Sequence, residues 1–194
     1  MGRKSDMPKL GAEPIRKAAL INATIFEVGR AGSLDVTVAQ IARRAGMSPA
    51  LAHHYFGSKD QMFLAAMRYI LRIYGDSVRE SLPGRGTRGR LNAIIRASFA
   101  PVNFQRETVS AWLNFYALAL TSPEAARLLR VYHRRLRSNL LVALRGLTDD
   151  PGRVADTLGA LIDGVYLRAV LTPGPTDAAA AQQVIETYLN EALA

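Results

Sequence analysis

Three short strings, Ser48-Pro49, Ser122-Pro123-Glu124 and Asp150-Pro151, each set a capping side chain directly before a proline. Proline has no amide hydrogen to lose in the first turn, and its ring fixes a helical φ. A Ser or Asp followed by Pro therefore marks a helix start and argues against a central strand. Between these starts, apolar residues recur at three and four positions rather than at two. Nearly half of the 194 residues are apolar, with Leu and Ala dominant and few β-branched runs, so packed helices are favoured over sheet. The expected fold class is all-α, with material for one helical domain or for a small module sharing a core with a larger one.

The punctuation divides the chain further. Residues 1–13 read as a loose basic arm. Pro14 suits a first turn, and Ala18, Ile21, Ile25 and Val28 follow as one stripe, ending near Gly29 to Gly32. A second helix opens at "TVAQIARRAG", with Thr37 and Gln40 placed as a capping box and Val38, Ile41, Ala42 and Ala45 on one face. A third, capped by Ser48, runs to about His54 or Tyr55. Ser58 and Gln61 form another box before a longer helix striped by Phe63, Met67, Ile70 and Ile73 or Tyr74. Beyond the turn "SLPGRGTRGR", five more helices are predicted over 87–103, 105–120, 123–147, 151–172 and 176–193. That makes about nine, in a three-helix unit at 14–57 and a larger helical core at 58–194.

The formal charge of +9 comes mainly from arginine, whose planar fork suits phosphate, so a polyanionic partner is a live expectation. The absence of cysteine excludes disulfides and thiolate chemistry and fits a reducing compartment. No apolar run approaches the roughly 18 residues of a membrane span, and "MGRKSDMPKLG" lacks the apolar core of a signal peptide. A cytoplasmic protein with no membrane partner is expected.

Two helices of about eight residues joined by "AGMS" have the proportions of a helix-turn-helix. Gly46 supplies the left-handed conformation that so tight a reversal needs. Leu51 is expected on the inner face against Ile41 and Ala42, with Pro49, Ala50, His53 and His54 pointing away. Small residues at 49 and 50 let that helix approach base edges, while Thr37, His53, Tyr55 and Lys59 can donate to phosphates. Arg44 and Ser48 complete the candidate DNA-contacting set. The histidines argue weakly for anything else: adjacent helical residues point about 100° apart, and no His follows at i+4. No HExxH, nucleophile elbow or phosphate loop appears, so no catalytic residue, metal site or cofactor is expected. A DNA-packaging protein is the other rival, but the large aromatic-containing core has no evident use in one.

"TVAQIARRAGMSPALAHHYFGSKDQM" resembles the DNA-binding signature of the TetR family of bacterial transcriptional repressors, with turn glycine, Ser cap, "HYF" and "SK" at fixed offsets. "MPKLG", "PIR", "AWLNF", "RRLRSNL" and "ALIDGVYLRA" extend the likeness to the branch of that family that governs the choline to glycine betaine pathway. The chain departs from the common family pattern at His53, where tyrosine is frequent, and at Gly57, where lysine is. The resemblance implies a nine-helix repressor: 14–57 binds double-stranded operator DNA, and 58–194 binds an inducer and forms a homodimer.

In the core, Trp112 and Tyr116 share a face of "VSAWLNFYALAL", and Phe99, Phe104 and Tyr132 lie on neighbouring helices. These rings either pack the core or form an aromatic cage for a quaternary ammonium, where each well-placed ring contributes on the order of 2 kcal/mol. The resemblance makes choline the cation. Asp163 sits among apolar residues and needs a partner; a pocket wall, a core pair and a dimer contact all remain open. Arg127, Arg130, Arg134 and Arg137 step along one face opposite the apolar side of their helix, a solvated arrangement. The last two helices carry stripes, Val154, Leu158, Leu161, Ile162 and Val165, then Ala181, Val184 or Ile185, Tyr188 and Ala192, suited to a four-helix dimer interface.

Overall fold

The computed structural model describes residues 12–81, 84 and 86–194, so all but the last two positions of the expected basic arm lie outside the described residues. Among those residues the chain forms nine helices and no strand: α1 (Ala12–Ala31), α2 (Val38–Arg44), α3 (Pro49–Phe56), α4 (Lys59–Ser81), α5 (Thr87–Ser98), α6 (Arg106–Ala119), α7 (Pro123–Leu144), α8 (Pro151–Leu171) and α9 (Ala178–Ala192). The capping signals act as written. Ser48 Oγ accepts from the Leu51 amide at 3.2 Å, Ser122 Oγ from Ala125 at 3.3 Å and Asp150 Oδ1 from Arg153 at 3.0 Å, each with proline opening the helix. Thr37 and Gln40 form a full capping box on α2. At Ser58 only half of one forms: the Gln61 amide donates to Ser58 Oγ, but the Gln61 side chain reaches Glu124 on α7 instead.

The turn between α2 and α3 confirms the need for glycine. Gly46 has φ +68°, its amide donates to the Arg43 carbonyl, and the Met47 amide donates to that of Ala42 at 2.8 Å. This pair of bonds satisfies carbonyls that the helix end leaves free and swings α3 across α2. Leu20, Val28, Val36, Ile41, Ala42 and Ala52 are buried around this unit. It is seated on α4 and α6 through α1, while α5 to α8 pack on one another and α9 lies against α8 and α5. No described helix is long and apolar enough to cross a membrane.

Three expectations need correcting. The buried face of α1 is Leu20, Ala23, Thr24, Glu27 and Val28, and Ala18 is exposed. Thr24 is tolerated inside because its hydroxyl donates to the Leu20 carbonyl at 2.7 Å. On α3 the fully buried residue is Ala52, with Leu51 only partly covered. The fifth helix stops at Ser98 rather than 103, since Pro101 offers no amide to continue it. Its last carbonyls are taken instead by Asn103 Nδ2, which donates to Ala97 at 2.7 Å, and by the Tyr166 hydroxyl, which donates to Ser98. The first helix ends at Ala31, within the expected Gly29 to Gly32 stretch, and Gly29 itself has a further use. It lies within α1, where an added Cβ would stand 2.5 Å from Glu107 Cα, so the missing side chain lets α1 cross the start of α6 at close range.

Candidate nucleic-acid interface and ligand cage

Around α3 the structure sorts the candidate DNA residues into those that face outward and those engaged within the protein. Ser48, Pro49, Ala50, His53 and His54 are exposed together on one surface. His53 Nδ1 lies 2.9 Å from the Gly57 carbonyl. A carbonyl only accepts, so Nδ1 carries the hydrogen, and in the neutral ring Nε2 is left as an outward acceptor. An acceptor suits the amino group of adenine or cytosine in the major groove and does not suit a phosphate. Tyr55 is half-buried, with Lys17 Nζ 5.7 Å above its ring and the His54 ring 5.5 Å away. Lys17, on α1, was not singled out from sequence because its neighbour is distant along the chain.

Three of the expected contacts are held inside the unit. Arg44 pairs through Nε with Glu27, and its guanidinium lies 3.6 Å over the Phe26 ring, which fixes α2 on α1. Thr37 Oγ1 donates to Gln40 Oε1 at 3.0 Å and accepts from the Gln40 amide, so its hydroxyl serves the helix cap. Lys59 Nζ donates to the Leu34 carbonyl at 2.7 Å, tying the start of α4 to the loop before α2. An ammonium has three donors, so two remain. The Arg44 guanidinium holds the Glu27 carboxyl below the usual range, against the upward push of burial, with Arg30 adding to the effect.

In the core, helices α6, α7 and α8 bring Trp112, Tyr116, Tyr132 and Asp163 together. Ring centroids of Trp112 and Tyr132 are 4.7 Å apart, and those of Trp112 and Tyr116 are 5.8 Å apart. Asp163 Oδ1 accepts from the Tyr116 hydroxyl at 2.8 Å, and Oδ2 lies 3.4 Å from His133 Nε2. Its partners are thus within the protomer. Burial, the Asp163 charge and the hydrogen bond to it all push the Tyr116 phenol upward, so it remains a neutral donor. Burial does the same to Tyr132 and Tyr166.

Phe99 belongs elsewhere. It is fully buried, with Phe104 at 5.1 Å and Tyr166 at 5.9 Å, and so backs the cluster rather than lining it. Tyr166, 6.3 Å from Trp112, and His133 are the residues that sequence spacing did not reveal as members. The cavity bounded by Val109, Trp112, Leu113, Tyr116, Tyr166 and Leu167 is only about 10 Å³, so the rings close on one another. Just outside, Asp163 and His133 border a cavity of about 260 Å³ between α7 and α8. Arg137 there is bound to Asp156 at 2.6 Å, and Arg127, Arg130 and Arg134 are exposed, as a solvated face requires. Among the described residues no group of three or more His, Asp or Glu is placed to hold a metal ion.

The chain matches two family models: bacterial regulatory proteins of the tetR family over residues 20–66, and the C-terminal part of BetI-type transcriptional repressors over 87–194. It is 49% identical over 186 residues to the HTH-type transcriptional regulator BetI of Brucella anthropi, covering 94% of this chain and 96% of that one. The BetI of Rhizobium meliloti is 48% identical over 187 residues, with 95% and 92% covered. Among solved structures, a transcriptional regulator from Pseudomonas aeruginosa PAO1 superposes with a TM-score of 0.71 at 28% identity, covering 94% of this chain and 92% of that one. One from Saccharomonospora viridis, solved in complex with choline, does so with a TM-score of 0.76 at 20% identity, with 90% and 95% covered; that likeness is one of fold. These relatives are regulators and not enzymes. With a tetR-type reading head seated on a BetI-type core, the chain belongs to the TetR family of bacterial transcriptional repressors, proteins that bind operator DNA and small-molecule ligands.

Proposed function

We propose that the chain represses genes of choline to glycine betaine synthesis and leaves its operator when choline, or a related quaternary ammonium, enters the α6–α7–α8 cluster. The observation that carries this reading is the Asp163 carboxylate fixed beside Trp112, Tyr116 and Tyr132. Faces of electron-rich rings attract an ammonium that has shed its water, and a carboxylate supplies the counter-charge. The BetI names of the relatives and the choline held by the Saccharomonospora viridis regulator support it. Trp112 is the only tryptophan, so titrating choline against intrinsic fluorescence reads the site directly. A saturable change is expected, and Asp163→Asn should weaken it at least tenfold while leaving operator affinity in place. No response to choline, betaine aldehyde or glycine betaine would remove the quaternary ammonium from the account.

Operator binding is assigned to the exposed face of α3 in each half of a homodimer. Of the stripe expected at this interface, Val154, Leu158, Ile162, Ala181 and Ile185 are buried within the protomer; Leu167 (43% exposed) and Leu171 (67%) on α8, with Val184 (49%) on α9, offer the apolar surface for a four-helix contact with a second copy. A two-fold pair of α3 helices then meets successive major grooves roughly 34 Å apart, or a multiple of that, on a near-palindromic site. Pro49, Ala50 and His53 enter the groove, while Ser48, Tyr55 and the two remaining donors of Lys59 hold phosphate. Lys59→Ala should weaken binding to every duplex and lower the salt slope by about 1, whereas His53→Ala should also change the preferred base at one position per half-site. Selection from random-sequence DNA with each variant checks this. Identical preferred sequences for His53→Ala and the parent would remove His53 from base reading.

A further inference from the structure

Helices α4 and α7 diverge around a groove of about 630 Å³ that shares only Tyr132 with the proposed choline site. Its floor is apolar, with Val78 and Leu136 buried and Leu128 and Val131 half-buried, and Gly75 deepens it by presenting no side chain. Among the described residues no carboxylate lines it. Its rim is four arginines: Arg68, Arg72 and Arg79 along α4, and Arg135 from α7. Arg68 is held by Glu124 and Arg79 by Asp76. Arg72 only stacks 5.3 Å over the Tyr69 ring, and Arg135 meets no carboxylate among the described residues.

We propose that this groove binds a single-headed aliphatic carboxylate, its chain along the apolar floor and its head between Arg72 and Arg135. The volume lies within the range of small-ligand sites. A planar guanidinium on each wall offers the parallel donor pairs that a carboxylate accepts. From the head at Arg72 to Arg79 the trough runs about 10 Å at 1.5 Å per residue, room for an extended chain of medium length. The same positive rim repels a quaternary ammonium, so the two sites take ligands of opposite charge: cations beside Asp163, anions here. Tyr132 joins them, since it lines this groove and its ring lies tilted 4.7 Å from that of Trp112.

The test is calorimetric titration of the full-length protein with decanoate below its micellar range, alongside decan-1-ol (the chain without the charge) and acetate (the charge without the chain). Decanoate should bind at least tenfold more tightly than either. The exposed pair Arg72→Ala/Arg135→Ala should lose tenfold or more of that affinity with an unchanged thermal melt and an unchanged choline titration. Equal binding of decan-1-ol, or decanoate binding that survives the double substitution, would overturn the proposal. So would a loss of operator affinity in the double variant without decanoate, which would make the rim a DNA contact.

Discussion

Gly29→Val is expected to lower the melting temperature by about 2 to 12 °C and to uncouple the proposed ligand site from DNA. The added Cβ would stand 2.5 Å from Glu107 Cα and 2.7 Å from its carbonyl oxygen, both backbone atoms that cannot rotate away. Relief requires α1 and α6 to separate, and overfilling a packed contact costs about 1–3 kcal/mol, at about 2–4 °C per kcal/mol in a chain of this size. The functional effect follows from what the two helices carry. α1 holds the reading unit through Glu27 and Arg44, and α6 begins at this crossing and carries Trp112 and Tyr116 into the cage. Arg106 adds to the rigidity by donating to the Val170, Thr172 and Gly174 carbonyls at the end of α8. If the proposed ligand moves α6 on entry, that shift reaches α1 directly through this crossing. Calorimetric melting and operator titrations with and without choline measure both effects; a variant that melts like the parent would show the crossing to be looser than the structure has it.

Arg44→Ala is expected to destabilise the reading unit by about 2–3 kcal/mol near neutral pH, although the residue is a candidate DNA contact by sequence. Breaking a buried pair costs about 3–5 kcal/mol because the other charge is stranded. The lower figure applies because Arg44 is 38% exposed and Arg30 stays 3.4 Å from Glu27, whose own side chain is 8% exposed. The pH dependence has a definite sign. The Glu27 pKa is lowered on folding from 4.5, so the pairing stabilises fully above that value and is lost as pH falls through the folded pKa. The gap between parent and variant should accordingly be widest near pH 7 and shrink steadily below about 4.5. Adding Glu27→Gln to Arg44→Ala should recover part of the loss by removing the stranded charge. Urea melts across pH check this, and a gap independent of pH would assign the loss to the contact with Phe26 instead.

What the sequence revealed was local. Ser48-Pro49, Ser122-Pro123 and Asp150-Pro151 start helices wherever they occur, because a cap and a proline act on amides within three residues. The turn at Gly46 was legible for the same reason. What stayed hidden depends on distant partners. The use of Glu27 emerges only when Arg44 is brought over it from 17 positions away. Lys59 reads as a free cation until the Leu34 carbonyl meets it, and Asp163 finds Tyr116 only through the packing of α6 on α8. The helix end near Gly29 to Gly32 was legible as well, but only the crossing helix reveals that the missing side chain of Gly29 serves closeness. In the cage, Trp112, Tyr116, Tyr132 and Asp163 meet as their helical spacing allowed. Tyr166 was absent from that set because its role, closing α5 through the Ser98 carbonyl, is written 68 residues away.

The central claim is that operator and quaternary ammonium bind mutually disfavoured arrangements of one dimer, so each weakens the other by the same factor. The direct measurement is a closed cycle on a palindromic duplex selected by the protein from random DNA: operator affinity with and without saturating choline, and choline affinity with and without saturating operator. Equal losses of about fivefold or more on both arms are the predicted result. Choline that binds at Trp112 yet leaves operator affinity unchanged would contradict the account.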